Sequence, residues 1–269
     1  MITKIMGILN ITPDSFSDGG KFLSQNAALK YAGYLIDNGV NIIDIGAEST
    51  RPGAILISEE EEWNRLEPVL QKITDMAHKA KIEVSVDTNK AKIAEKAINI
   101  GIDYINDVSG TYDKKMADII SQNKTKLFLM HNLDVPADKN NILPKGADPT
   151  HELIEWFKKR IAVLSDLGIA KNNIIIDPGI GFGKDAEQSW YIINNINKLK
   201  ELNLPICVGH SRKSMFHILN EKHSDNYEIE TLTVSIALAQ KEIQYIRVHD
   251  AALHLQAFNV LNKFGNVGT

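Results

Sequence analysis

Eight short apolar runs in this chain each end on residues able to bind a ligand or move a proton. "IMGILN" closes on Asn10, and "NIIDIG" carries Asp44, with Thr50 and Arg51 just beyond. "EVSVD" ends at Asp87, "DYINDV" holds Asn106 and Asp107, and "LFLMH" ends at His131. "IIIDPG" carries Asp177, "PICVGH" leads into His210, Ser211 and Lys213, and "YIRVHD" supplies Arg247 and His249. Carboxylates and amides accept hydrogen bonds, whereas Arg and Lys hold anions. Singly, each is an ordinary loop residue. Three Asp, two Asn, an Arg and a Lys facing one cavity would be more than solvation requires.

The elements between these runs decide whether they meet. Helical spacing runs over Ala27–Asn38, Ser58–Lys79, Ala91–Ile100, Met116–Ser121, Thr150–Leu167, Asp185–Lys200, Thr231–Gln240 and Ala251–Phe264. Ser58 can cap the second of these, and the four glutamates that follow suit a helix's first turn better than a metal. Strict alternation of strand and helix implies right-handed βαβ units and a parallel sheet. Eight such units in 269 residues fit a single-domain (β/α)8 TIM barrel spanning 1–269, with an open doubly wound sheet as the rival. A barrel brings all its C-terminal strand ends to one mouth. The stretch 132–149 reads as an ordinary surface excursion.

Composition narrows the function classes. A net charge of −4 offers no basic field for nucleic acid or an anionic membrane, so any anion needs a local site. The lone Cys207, inside "PICVG", reads as a buried structural thiol in a reducing compartment. With no signal-peptide pattern and no apolar run near ~18 residues, a soluble, cytoplasmic protein is expected. "PGIGFGKD" lacks the Ser/Thr of a P-loop and the third-glycine spacing of a dinucleotide fingerprint. The histidines form no zinc pattern, and His78, His151, His217, His223 and His254 read as surface residues. His210 receives no role, and no Gly-x-Ser-x-Gly elbow surrounds Ser211.

"MGILNITPDSFSDGG", "GAESTRPG", "SVDT", "YINDVSG", "LFLMH", "IIDPGIGFGK", "SRKS" and "IRVHD" together resemble dihydropteroate synthase. The blocks run in the family's order from residue 6 to 250. The resemblance implies a TIM-barrel transferase of folate biosynthesis. It would join 6-hydroxymethyl-7,8-dihydropterin pyrophosphate to p-aminobenzoate by an SN1-like path, giving 7,8-dihydropteroate and pyrophosphate with Mg²⁺ present. It implies pterin contacts at Asp87, Asn106, Met130, Asp177, Lys213 and Arg247, of which Asp87, Asp177, Lys213 and Arg247 would be catalytic. The pyrophosphate would meet Asn10, Thr50, Arg51, Arg247 and His249, Asn10 also being the metal ligand, and a helix starting near Asp250 would offer its N-terminus to the anion. Phe16, Pro52, Phe182, Lys213 and Ser214 would receive p-aminobenzoate, with Phe16 on a lid formed by Gly7–Gly20. Small-molecule partners, sulfonamide inhibition and a homodimer follow from the same resemblance, with no nucleic-acid or membrane partner.

The chain departs from the family pattern at Ala47, where glycine is usual, and after His131, where a short Gly/Pro pattern is missing. Two other functions would fit parts of the pattern. A corrinoid-linked pterin methyltransferase shares the barrel and the pterin-holding Asp and Asn, but does not need "TRPG", "SRKS" or the Phe16 loop. A non-catalytic pterin-binding paralogue would bind without releasing pyrophosphate.

Overall fold

The computed structural model describes residues 3–12, 21–50, 53–219 and 227–264. Its first half runs β1 (Lys4–Asn10), α1 (Lys21–Asp37), β2 (Ile42–Gly46), α2 (Glu59–Lys79), β3 (Glu83–Asp87), α3 (Ala91–Ile100), β4 (Tyr104–Asp107) and α4 (Lys114–Asn123). Then follow β5 (Lys126–Met130), α5 (Pro149–Asp166), β6 (Ile174–Asp177), α6 (Ala186–Asn194), β7 (Cys207–Val208), α7 (Glu228–Gln240), β8 (Tyr245–Val248) and α8 (Ala251–Lys263).

The strands pair in parallel in the order β6-β5-β4-β3-β2-β1-β8-β7. A parallel bridge between Ile176 and Ile206 joins the two outermost strands. The sheet therefore closes into the expected (β/α)8 barrel, and the open doubly wound alternative is excluded. Local chemistry marks several helix starts as the sequence suggests. Ser58 Oγ accepts from Glu61 N–H at 3.1 Å. Asp185 and Gln188 form a reciprocal capping box at α6.

Three elements differ from the sequence reading. The strand expected over 205–210 is reduced to Cys207–Val208 with a single bridge at Ile206, because Pro205 has no N–H to give and Gly209 leaves the ladder. The long helix expected over 185–200 stops at Asn194 and continues as a 3-10 helix, Ile196–Leu202. Helix α1 begins at Lys21, six residues before the apolar spacing becomes visible.

Side chains alternate in and out along each strand, so residues two apart share a face. Met6, Ile42, Tyr104, Phe128, Ile175 and Cys207 form a buried cluster inside the barrel, with Tyr245 packed against it. Cys207 is thus the buried thiol expected, and burial pushes its pKa well up. A larger cluster lies between the strands and the surrounding helices. His254 corrects one expectation: it is fully buried, and its Nδ1 donates to the Asp250 carbonyl at 2.7 Å. His78, His151 and His217 are exposed, and His223 lies outside the described residues.

Candidate active site

Counting two residues on from the packed interior layer gives the next layer toward the mouth. From Ile42 the step reaches Asp44, and from Tyr104 it reaches Asn106. Phe128 leads to Met130, Ile175 to Asp177 and Tyr245 to Arg247. Cys207 leads to Gly209, where a Cβ would lie 3.7 Å from Asp177 Oδ2 and 3.9 Å from Arg247. The seventh strand thus puts no side chain between that carboxylate and that guanidinium.

Arg247 is the hub. Its Nε donates to Asp44 Oδ2 at 2.6 Å and its Nη2 to Asp87 Oδ2 at 2.7 Å. Asn106 Nδ2 donates to the same Asp44 oxygen at 3.1 Å. Asp44 is fully buried, and the Asp87 and Arg247 side chains are 14% and 21% exposed. Burial pushes the Asp87 carboxyl up to about 7, against the pull of Arg247 and aided by repulsion from Asp44. Burial opposes the charge on Arg247, but the two carboxylates outweigh it and raise its pKa.

Asp177 faces this hub. Its Oδ1 accepts from Gly179 N–H at 2.7 Å. Burial raises its pKa, opposed by that hydrogen bond and by the charges of Lys213, Arg247 and Lys184. Lys213 Nζ stands 3.9 Å from the centre of the Phe182 ring. Phe182 is buried with Val108, Met130 and Ala137, against Val135. The 132–149 stretch is therefore more than a surface excursion. It supplies Ala137 and Val135 to this wall, and Leu143 N–H donates to the Gly183 carbonyl at 3.0 Å.

Asn10 sits at the end of β1 in register with Gly46 and, across it, Asp87. Its Oδ1 would lie 3.6 Å from a Cβ placed at Gly46. Thr50 is half-buried in the loop after β2. That loop is held at its foot by Glu48, whose Oε1 accepts from Ile57 N–H at 2.7 Å and pairs with Lys90 Nζ at 2.8 Å. His249 is fixed by Ser211. The serine Oγ accepts from His249 N–H at 3.2 Å and lies 2.9 Å from Nδ1. Tyr31 OH donates to the His249 carbonyl at 2.9 Å.

The helix terminus expected to take an anion is already served by the chain itself. Asp250 Oδ1 accepts from Leu253 N–H at 3.0 Å, placing a carboxylate at the start of α8. Ser214 is exposed at the start of a short 3-10 turn, Ser214–Ile218. Phe16, Arg51 and Pro52 lie outside the described residues, as does the lid segment from residue 13 to 20.

The structure thus brings Asp87, Asn106, Met130, Asp177, Phe182, Lys213 and Arg247 to one mouth. Sequence reasoning gave no individual role to Asp44, His131 or Lys184, which contact Arg247 and Asn106, Asp177, and Phe182 respectively, nor to Ser211, which holds His249. Asp44 lay at a strand end in plain view, but its partner is 203 residues away. Lys184 and His131 form a buried pair, with Nζ 2.9 Å from Nδ1. Among the described residues no group of three or more His, Cys, Asp or Glu is placed to hold a metal ion.

Known proteins share this pattern. Residues 6–249 match the family described as pterin binding enzyme. The dihydropteroate synthase of Clostridium beijerinckii is 44% identical over 250 residues, covering 92% of this chain and 89% of that protein. A structure of dihydropteroate synthase from Anaplasma phagocytophilum with bound 6-hydroxymethylpterin-monophosphate superposes with a TM-score of 0.89 at 41% identity, covering 98% of this chain and 100% of that one. The Xanthomonas albilineans dihydropteroate synthase with 4-aminobenzoic acid gives a TM-score of 0.89 at 31% identity, over 99% of this chain and 94% of that one. The chain belongs to the pterin binding enzyme family and, within it, to the dihydropteroate synthases, which are transferases.

Proposed function

We propose that this enzyme condenses 6-hydroxymethyl-7,8-dihydropterin pyrophosphate with p-aminobenzoate in folate biosynthesis, releasing pyrophosphate. The observation that carries the reading is the buried mouth in which Asp177, and Asp87 with Arg247, face one another while Lys213 lies over Phe182. The donor edge of a pterin suits Asp177 as acceptor, with Asn106 beside it and Met130 against the ring. Asp87, with a pKa near neutrality, can accept or donate to the ring according to its proton. Lys213 donates to the ring's acceptors. Each charge-assisted contact is worth ~1.5–3 kcal/mol.

The pyrophosphate end faces Arg247 and His249, with Asn10, Thr50 and Arg51 around it. Two guanidinium donors of Arg247 are spent on Asp44 and Asp87, and the others serve the anion. Asn10 offers one amide oxygen, which suits a Mg²⁺ that arrives with the phosphates, since that ion usually takes few protein ligands. Bound there, the ion would neutralise charge on the leaving group. In the proposed chemistry the C–O bond to pyrophosphate breaks first, and its electron pair leaves with the phosphate. The electron-rich ring spreads the resulting positive charge. The amine nitrogen of p-aminobenzoate then bonds to the methylene carbon and gives up a proton to the expelled pyrophosphate or to solvent. Exclusion of water by Phe16, Pro52 and Phe182 favours the amine over hydrolysis. Ser214 and Lys213 receive the carboxylate.

The test is pyrophosphate release with Mg²⁺, with and without p-aminobenzoate, alongside detection of dihydropteroate. Release that rises with the amine and yields dihydropteroate supports the transferase. Pterin binding without release under either condition would point to a non-catalytic paralogue. Sulfonamides, which carry the same aniline, should compete with p-aminobenzoate. The exposed apolar side chains Ile229 on α7 and Val260 and Phe264 on or beside α8 fit burial in a homodimer, which light scattering would test. A cytoplasmic location fits the free, buried Cys207.

A further inference from the structure

Lys184 belongs to the "GFGKD" stretch that resembles, and fails as, a phosphate loop. Its side chain points inward, and the residue is 6% exposed. Nζ donates to the Phe182 carbonyl at 2.7 Å and lies 2.9 Å from His131 Nδ1. Neither partner is a carboxylate, so the amine is buried without a counter-charge in contact. Burial first, and then the charge of Lys213, push it down to about 7 although Asp177 pulls the other way. His131 is held well below its ordinary range by burial and by Lys184. An ammonium at Lys184 would donate to Nδ1 of a neutral imidazole. A buried amine kept at such cost calls for a reason.

The loop it serves carries three glycines in five residues. Gly179, Gly181 and Gly183 all have positive φ; between them Ile180 is fully buried in the large cluster, and Phe182 is the side chain that joins the mouth wall. A Cβ at Gly179 would overlap the His131 carbonyl, and one at Gly183 would come within 2.7 Å of Leu133. The loop is thus laid directly on the end of β5, and Lys184 ties the Phe182 carbonyl to His131 just past that strand. The opposite side of the same residue carries Lys213, 3.9 Å from the ring centre. Lys184 thus anchors the backbone that carries the ring, while Val108, Met130 and Ala137 pack the ring beneath the Lys213 ammonium.

We infer that Lys184 is a positioning residue for the amine substrate, setting the Phe182 wall and, through it, Lys213. The inference rests on the function proposed above, in which Phe182 and Lys213 receive p-aminobenzoate. Its test is steady-state kinetics of Lys184→Met and Lys184→Gln with each substrate varied in turn, together with thermal unfolding. Lys184→Met should raise the KM for p-aminobenzoate about tenfold and leave the KM for the pterin pyrophosphate within about twofold. Lys184→Gln, which keeps a donor on a shorter arm, should fall between wild type and Met. If Lys184→Met does not fold, the same split in Lys184→Gln decides the question. Loss of turnover with both KM values unchanged, in step with loss of folded protein, would overturn the inference and leave Lys184 structural. So would an equal rise in both KM values. Wild type run alongside separates the failures: turnover in wild type with no KM split removes only the Lys184 inference, whereas no dihydropteroate from wild type removes both readings.

Discussion

Asp44→Asn is the sharpest probe of the buried charge cluster, because it removes a charge and keeps the shape. Both contacts to Asp44, from Arg247 at 2.6 Å and Asn106 at 3.1 Å, fall on Oδ2, and an amide oxygen can still accept them. Replacing a charge-assisted hydrogen bond by a neutral one costs ~1 kcal/mol. The amide nitrogen must then occupy the position of Oδ1, which has no hydrogen-bond partner among the described residues, at a cost of ~1 kcal/mol more. Against this, Asp87 loses the repulsion that Asp44 exerts on it. The Asp87 pKa of about 7 lies above its unfolded value of ~3.9, so the folded state holds more protons between them. Its contribution to stability is accordingly full below ~4, falls as pH rises toward ~7 and is level above. Lowering that pKa by one unit returns ~1.4 kcal/mol at the upper end of the window. Asp44→Asn should therefore cost ~2 kcal/mol near pH 5 and ~1 kcal/mol or less near pH 8. Urea unfolding of both proteins across that range measures the difference, in which the other titrating groups largely cancel. A destabilisation that stays level, or grows with pH, would refute the coupling between Asp44 and Asp87.

Asp177→Asn should weaken binding of the pterin pyrophosphate about 100-fold, equivalent to ~2.7 kcal/mol, with the melting temperature unchanged or higher because a buried charge is gone. Calorimetric titration reads the first and thermal unfolding the second; unchanged affinity would remove Asp177 from the ring site. Gly179→Ala should destabilise the fold by ~3 kcal/mol or more, since φ is +64° and the new Cβ would overlap the His131 carbonyl. A denaturant midpoint equal to wild type would show that the loop can shift. Cys207, buried beneath Asp177, should resist thiol reagents in the native state and react rapidly in denaturant. Fast native labelling would mean that the barrel interior opens.

What the sequence made legible and what it hid divide along a physical line. The strand-end residues Asn10, Asp87, Asn106, Asp177 and Arg247 stood out because a polar residue closing an apolar run is local information. Helix starts at Ser58 and Asp185 were legible for the same reason, each cap lying within a few residues of its partner. Contacts between distant segments were not. Asp44 and Arg247 meet only because β1 pairs with both β2 and β8. His254 read as a surface histidine because helical spacing alone does not say which face of α8 turns inward. Lys184 was hidden by its own motif, since "GFGK" invites a phosphate reading while the lysine is buried against a carbonyl and an imidazole. At the start of α8, Asp250 in the cap position places a carboxylate of the chain's own beside the first-turn N–H groups, a local feature as legible as the caps at Ser58 and Asp185.

The join between β6 and β7 gives the barrel a weakest stave. Strands β1 and β2 share five registered positions, whereas Ile176 and Ile206 form one bridge beside a two-residue β7. Asp177 ends the strand on one side of this join, and Lys213 follows the strand on the other. Partial opening there would part the carboxylate expected to hold the ring from the ammonium expected to serve the amine, while the Arg247–Asp44–Asp87 cluster on the continuous side stayed closed. Backbone amides at Ile176 and along β7 should accordingly exchange with solvent faster than those of β1 and β2. A bound pterin, touching residues on both sides of the join, would act as the missing hoop and slow that exchange.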